Sequence, residues 1–246
     1  MSSNISIYEE RAKAELETWQ KKMRKSPSFS GYISKAVQIK INKIIPDKVH
    51  HYITTAIKQM VKLVLFGSGY TAGAPLKEGS LLLREAYIRE KIDIYKKTAA
   101  VEGAITGAGG ILMGLAEFPV LFSIKIKLLY EIAALYGHDV NNYKERLFIL
   151  YVFQLAFSSQ ERRNITYKIV EDWPAHSKNL PEGLNDFDWL TFQQEYRDYL
   201  DLAKLVQLIP IIGAPVGAIV NYKLLDTLGD TAKNAYRLRR NQDAEV

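Results

Sequence analysis

The sequence predicts an all-α protein, a multi-helix bundle centred on two packed glycine-rich helical segments. Apolar residues recur at spacings of three and four between Gly and Pro punctuation through nearly the whole chain, the signature of amphipathic helices joined by short loops. With 246 residues, 48% of them hydrophobic, there is enough apolar material for a sizeable core. Two side-chain-poor segments, far apart in the chain, mirror each other and mark where helices would meet most closely.

Taken in order, residues 8–24 read as a charged helix with Leu16 and Trp19 on its apolar side, stopped at Ser26-Pro27. Ile33, Val37, Ile41 and Ile44 place a second amphipathic helix before Pro46, with Lys35 and Lys43 away from its stripe. A third helix over 47–66 carries Ile53, Ile57, Met60 and Val64 on one side and Lys58 and Lys62 on another. The Gly-, Ser- and Pro-bearing stretch 67–80 reads as a linker, which divides a basic helical region (1–66) from a main helical domain (81–246). A long helix over 81–106 follows, its stripe of Ile88, Ile92, Tyr95 and Ala99 running into Gly103; Glu85 with Arg89 and Asp93 with Lys97 are expected to pair along its outer face. A helix over 121–136 ends at Gly137, and Asn141 or Asn142 caps the next, whose core face is Leu147, Leu150, Tyr151 and Phe157. The acidic stretch from Glu171 reads as an exposed excursion before a helix starting near Asp188. The final helix covers 226–240.

The glycine-rich segment spans residues 101–121. Gly103, Gly107, Gly110, Gly114 and Glu117 step by four and three, so on one helix they would share a narrow face. Each glycine costs about 1 kcal/mol in a helix interior, so the run suits close backbone approach. The C-terminal counterpart holds Gly213 and Gly217, followed by Asn221, with Pro210 and Pro215 dividing it into two helical pieces. These segments are expected to cross closely, with Glu117 and Asn221 satisfied by polar partners. A bilayer span over 103–124 is the rival reading, since Glu117 is its one charge.

Charge is polarised. Residues 18–66 carry ten Lys or Arg against Asp47, whereas 171–201 carry eight acids against two bases. Lys21, Lys22, Arg24, Lys25, Lys35 and Lys43, joined by Arg237, Arg239 and Arg240 in the last helix, are candidate contacts for an anionic membrane surface. Nucleic acid ranks below lipid, because no zinc finger, helix-turn-helix or aromatic RNA-binding signature accompanies the lysines. The chain has no cysteine, which removes disulfides, thiolate metal sites and a cysteine nucleophile, and the start lacks a secretory pattern, so a cytoplasmic location is expected. Asp47, His50 and His51 have metal-ligand spacing, but a helix N-cap Asp followed by two surface imidazoles is the simpler account of them; no metal, cofactor or catalytic residue is assigned. An enzyme or a small-molecule- or lipid-binding protein would use a pocket near Glu102, Glu117 and Asn221.

Several of these motifs together resemble the EcsC family: Lys58, Lys62 and Leu65-Phe66-Gly67, A-V-E-G-A-I-T-G-A-G-G over 100–110, A-E-F-P over 116–119, E-I-A-A-L-Y-G-H-D over 131–139, and L-I-P-I-I-G-A-P-V-G-A-I-V-N-Y over 208–222. Family members often have Asp where Glu117 stands. The resemblance implies an accessory protein on the cytoplasmic side of the membrane, working with the subunits of an ABC transporter. It implies no catalytic residue.

Overall fold

The computed structural model of the chain describes residues 2–25, 47–67, 72–108, 110–200 and 214–243. Among them are nine α-helices and no strand: α1 (Ser2–Arg24), α2 (Asp47–Phe66), α3 (Leu81–Ala108), α4 (Gly110–Tyr136), α5 (Tyr143–Phe157), α6 (Gln160–Glu171), α7 (Trp173–Lys178), α8 (Trp189–Tyr199) and α9 (Ala214–Asp243). The fold is an all-α bundle.

Three long helices form its spine, and specific pairs fix their register. Arg237 meets Glu85, Asp226 meets Lys96, and Gly229 lies against Ile92, so α9 runs antiparallel to α3. Tyr95 bonds Glu131, and Arg84 donates to the Leu135 carbonyl, which sets α4 antiparallel to α3. Lys125 donates to Asn221 and the Tyr136 hydroxyl to the Lys233 carbonyl, so α4 and α9 run parallel. α5 packs on α9 and α4 almost wholly buried, from Leu147 to Leu150 and from Val152 to Phe157. A helix buried all round belongs at the centre of the core.

The remaining helices close this core with single faces. On α1, Ala12, Leu16, Trp19 and Met23 are buried at helical spacing, and on α2, Ile57, Val61 and Val64 are wholly covered. Asn142, Ser159 and Asp188 accept backbone N–H bonds at the starts of α5, α6 and α8. Gly137 ends α4 at φ +98°, a conformation that favours glycine. Two arginines fasten loops to helix ends. Arg84 donates to the carbonyls of Leu76, Lys77, Gly79 and Leu135, and Arg146 to those of Leu65 and Gly67. Each cation sits where helix carbonyls lack intrahelical partners and the dipole is negative. The described part of the 67–80 stretch is therefore held against the bundle.

Several sequence expectations change. The glycine run is not one helix: Gly103 and Gly107 belong to α3 and Gly110, Gly114 and Glu117 to the antiparallel α4, so the five cannot share one face. Pro119 lies inside α4. A single span over 103–124 is excluded by the same break, and no described helix is long and apolar enough to cross a membrane. From Ala214 the C-terminal segment is helical, with Pro215 in its first turn, where a missing N–H costs nothing, and the expected piece before it lies outside the described residues. The acidic stretch folds as α7 and a 3-10 turn, Leu184–Asp186, and buries Trp173 against Phe148. The predicted helix around Ile33 to Ile44 lies outside the described residues.

Candidate functional site

α3 is amphipathic twice over. Its core face is Leu81, Glu85, Ile88, Ile92, Ala99 and Gly103. At about 100° per residue, Leu83, Tyr87, Ile94, Val101 and Ile105 fall together on the far side. All five are exposed, Ile94 by 48%, Val101 by 59% and Ile105 by 53%. Asp93 and Lys97 lie on a charged side that adjoins the stripe, with Glu90 at the border between the two. The sequence reading stopped at the core stripe and missed this second one. Its signal was present in the spacing of four, seven, seven and four.

Along this stripe α3 and α4 part to leave a groove of about 710 Å³, closed at one side by Leu63 and Gly67 beside the end of α2. Ile94, Val120 and Ile124 give it an apolar stretch, and Lys91, Tyr95, Lys127 and Glu131 a polar end. There, Lys91 lies 2.6 Å from the Glu131 carboxylate and the Tyr95 hydroxyl donates to it at 2.7 Å. Burial pushes the Glu131 carboxyl up, but the bonds from Lys91 and Tyr95 and the charges of Lys91 and Lys127 outweigh it and hold the group below the usual carboxylate range. Lys127 is exposed at the same end.

Of the pocket residues expected from sequence, Glu102 and Asn221 have described side chains. Asn221 is fully buried and accepts from Lys125, itself fully buried, at 3.3 Å. Desolvation pulls the Lys125 ammonium down to about 7. Glu102 on α3 is half-buried, and Gly103 is buried. The surroundings of Gly107, Gly110, Gly114, Glu117, Gly213 and Gly217 lie outside the described residues. α3 and α9 approach closely at Gly229, where an added Cβ would stand 2.7 Å from Ile92 Cδ1 and 2.8 Å from Cγ1.

Buried polar networks explain other residues. Glu85 is buried and receives Arg237 on both oxygens at 2.5 and 2.6 Å, with the hydroxyls of Tyr8 and Tyr136 at 2.7 and 3.0 Å. Arg237 also reaches Glu15 at 2.9 Å, so one ion-pair network ties α1, α3, α4 and α9. The expected Glu85–Arg89 pair does not form. Arg89 instead stacks over the Tyr8 ring, and Asp93 pairs with Lys96 rather than Lys97. Glu145 accepts from Tyr236 and Arg239 at 2.6 and 2.5 Å beside a 330 Å³ cleft where burial lowers the His138 imidazole.

These networks correct part of the basic-surface expectation. Arg237 is buried and Arg239 mostly so, both engaged with carboxylates, which removes them as surface contacts. Arg24 pairs with Glu171, and Arg240 lies 3.7 Å from Glu9. Lys21, Lys22 and Lys25 are exposed, while Lys35 and Lys43 lie outside the described residues. α1 carries its basic end onto α6, where Trp19 meets Tyr167, whereas the α3 stripe adjoins α4 and α2. Lys91 and Lys127 line the groove beside its apolar residues. Among the described residues no three His, Asp or Glu side chains gather as metal ligands would.

Comparison with known proteins agrees with the sequence motifs. The family model of the EcsC protein family matches residues 10–240. The chain is 44% identical over 218 residues to Protein EcsC of Bacillus subtilis (strain 168), covering 88% of this chain and 89% of that protein. It is 32% identical over 144 residues to Uncharacterized protein YdbA of the same organism, covering 58% of this chain and 52% of the relative. No solved structure matches the chain. The chain belongs to the EcsC protein family.

Proposed function

We propose that this chain is an accessory protein that rests on the cytoplasmic face of the membrane with the outer side of α3 against lipid, beside an ABC transporter. The observation that carries the reading is the exposed apolar stripe of α3, continued at the groove by Leu63 and Val120. A soluble helix with one buried face ordinarily turns charges outward. This one turns a second aliphatic row outward, and a contiguous exposed apolar surface marks an interaction site. Fully burying one aliphatic side chain is worth about 1.5–3 kcal/mol, so Leu83, Ile94, Val101 and Ile105, each about half exposed, offer roughly 3–6 kcal/mol at the headgroup–acyl boundary. Lysines near an anionic surface add about 1 kcal/mol each. The sum is on the order of a single myristoyl chain, which gives reversible attachment. The transporter partnership rests on the family resemblance alone.

Flotation with vesicles tests the surface. The wild-type chain floats with vesicles containing anionic lipid and less with neutral ones, and raised salt weakens the difference. Val101→Asp with Ile105→Asp abolishes flotation without changing the melting temperature. Unchanged flotation of that double variant would refute the α3 surface.

A further inference from the structure

We infer that the groove between α3 and α4 is a binding site for one long-chain fatty acid, with its carboxylate on Lys127 and its chain along Ile94, Val120 and Ile124. The inference rests on the membrane reading for the source of the ligand, a fatty acid released from the bilayer, but not for the binding itself.

Three features select this occupant. The first is polarity along the groove: the positive end, where Lys127 joins the Lys91–Glu131 pair, lies one to three helical turns from the aliphatic end. Glu131 is held ionised by Lys91 and Tyr95, so it neutralises Lys91, and the end as a whole keeps one positive charge. A single carboxylate complements that charge, whereas a cationic head does not. The second is length. From Val120 to Lys127 α4 rises seven steps, about 10 Å, which matches the first eight or so carbons of an extended acyl chain counted from the carboxylate. The third is volume. A methylene needs about the room of one water, roughly 30 Å³, so a sixteen-carbon chain takes about 480 Å³ and two such chains about 960 Å³. The 710 Å³ groove has room for one such chain along its open length. The aliphatic walls supply affinity, and Lys127 and Tyr95 fix which end goes where.

Calorimetric titration of the full chain with dodecanoate, below its micelle concentration and without vesicles, tests the site. One-to-one saturable binding is expected, at least tenfold tighter than for dodecyltrimethylammonium, which has the same chain and the opposite head charge. Lys127→Glu weakens dodecanoate at least tenfold. Thr98→Trp, which fills the groove from an exposed position, abolishes binding with an unchanged circular dichroism spectrum and melting temperature. Absence of saturation, equal affinity for the cationic amphiphile, or wild-type binding by Thr98→Trp would overturn the inference. A monomer–dimer equilibrium broken by Thr98→Trp would also overturn it, by assigning the groove to a second copy of the chain. The surface and the groove fail separately: flotation without titration sinks the groove alone, and titration without flotation leaves the groove standing and sinks the surface.

Discussion

Replacing Glu85 with glutamine should lower the melting temperature by roughly 6–12 °C. The carboxylate is fully buried and accepts four hydrogen bonds, two of them from Arg237, whose side chain is only 4% exposed. Neutralising it leaves a desolvated guanidinium short of its main partner, and breaking one side of a buried pair costs about 3–5 kcal/mol. Glu15 still reaches Arg237 from α1 at 2.9 Å, which places the loss at the low end, near 3 kcal/mol. For a chain of this size each kcal/mol moves the midpoint by about 2–4 °C. The assay is thermal unfolding followed by circular dichroism, with Glu85→Leu, Arg237→Met and their combination beside Glu85→Gln. Removing both charges together should cost less than the sum of the single changes, because neither variant then holds an unpaired ion. A shift under 2 °C for Glu85→Gln, or strict additivity in the cycle, would refute the claim that an unpaired charge sets the cost.

Gly229→Val should destabilise by about 1–3 kcal/mol through crowding against Ile92 Cδ1 and Cγ1, and Ile92→Ala should recover part of the loss in the double variant; urea denaturation reads both, and wild-type stability of Gly229→Val would contradict the close α3–α9 approach. Lys125 gives a pH effect of unusual sign. Its folded value is lowered to about 7, so between there and its ordinary value near 10.5 the unfolded chain binds the extra proton, and stability rises with pH. Burial pushes the Tyr8 and Tyr167 hydroxyls up to about 12, which takes stability away above pH 10, so the comparison belongs between pH 7.5 and 9.5. Urea midpoints in that window should climb for the wild type and flatten for Lys125→Met; parallel slopes would show that Lys125 enters the folded state already charged.

Local pattern was legible in the sequence, and long-range pairing was not. The helix over 47–66 is found at those bounds, Asn142 is one of the two caps named for α5, and Leu16, Trp19, Ile88 and Ile92 are buried as their spacing requires. Each of these depends on neighbours within about one turn. Glu85 shows the opposite case. Its partner four residues on is Arg89, but the register of α9 brings Arg237 from 152 positions away, and a desolvated guanidinium with both oxygens in reach outweighs an exposed i,i+4 pair. Arg237 and Arg239 read as a basic tail for the same reason, because nothing in R-L-R-R shows that two of its members turn inward. Lys125 was hidden by its position, one residue past the uncharged run that drew attention as a bilayer span. The α3 stripe was hidden by its own opposite: with aliphatic rows on two sides of one helix, the obvious row satisfied the search. Of the site candidates named from sequence, Asn221, Gly103 and Arg237 are found buried away from the groove; of the groove's own residues Tyr95 was named, as part of the core stripe, while Ile94, Lys127 and the exposed Val101 beside it were not.

Because the chain has no cysteine, single Cys residues can report the membrane-facing side of α3 one position at a time. Ile94→Cys, Val101→Cys and Ile105→Cys, with Asp93→Cys and Lys97→Cys from the charged side, would each carry an environment-sensitive fluorophore and be titrated with anionic vesicles. The account predicts blue-shifted, brighter emission at 94, 101 and 105 and unchanged emission at 93 and 97. Equal responses on both sides, or none at 101 and 105 while the protein still floats, would contradict it.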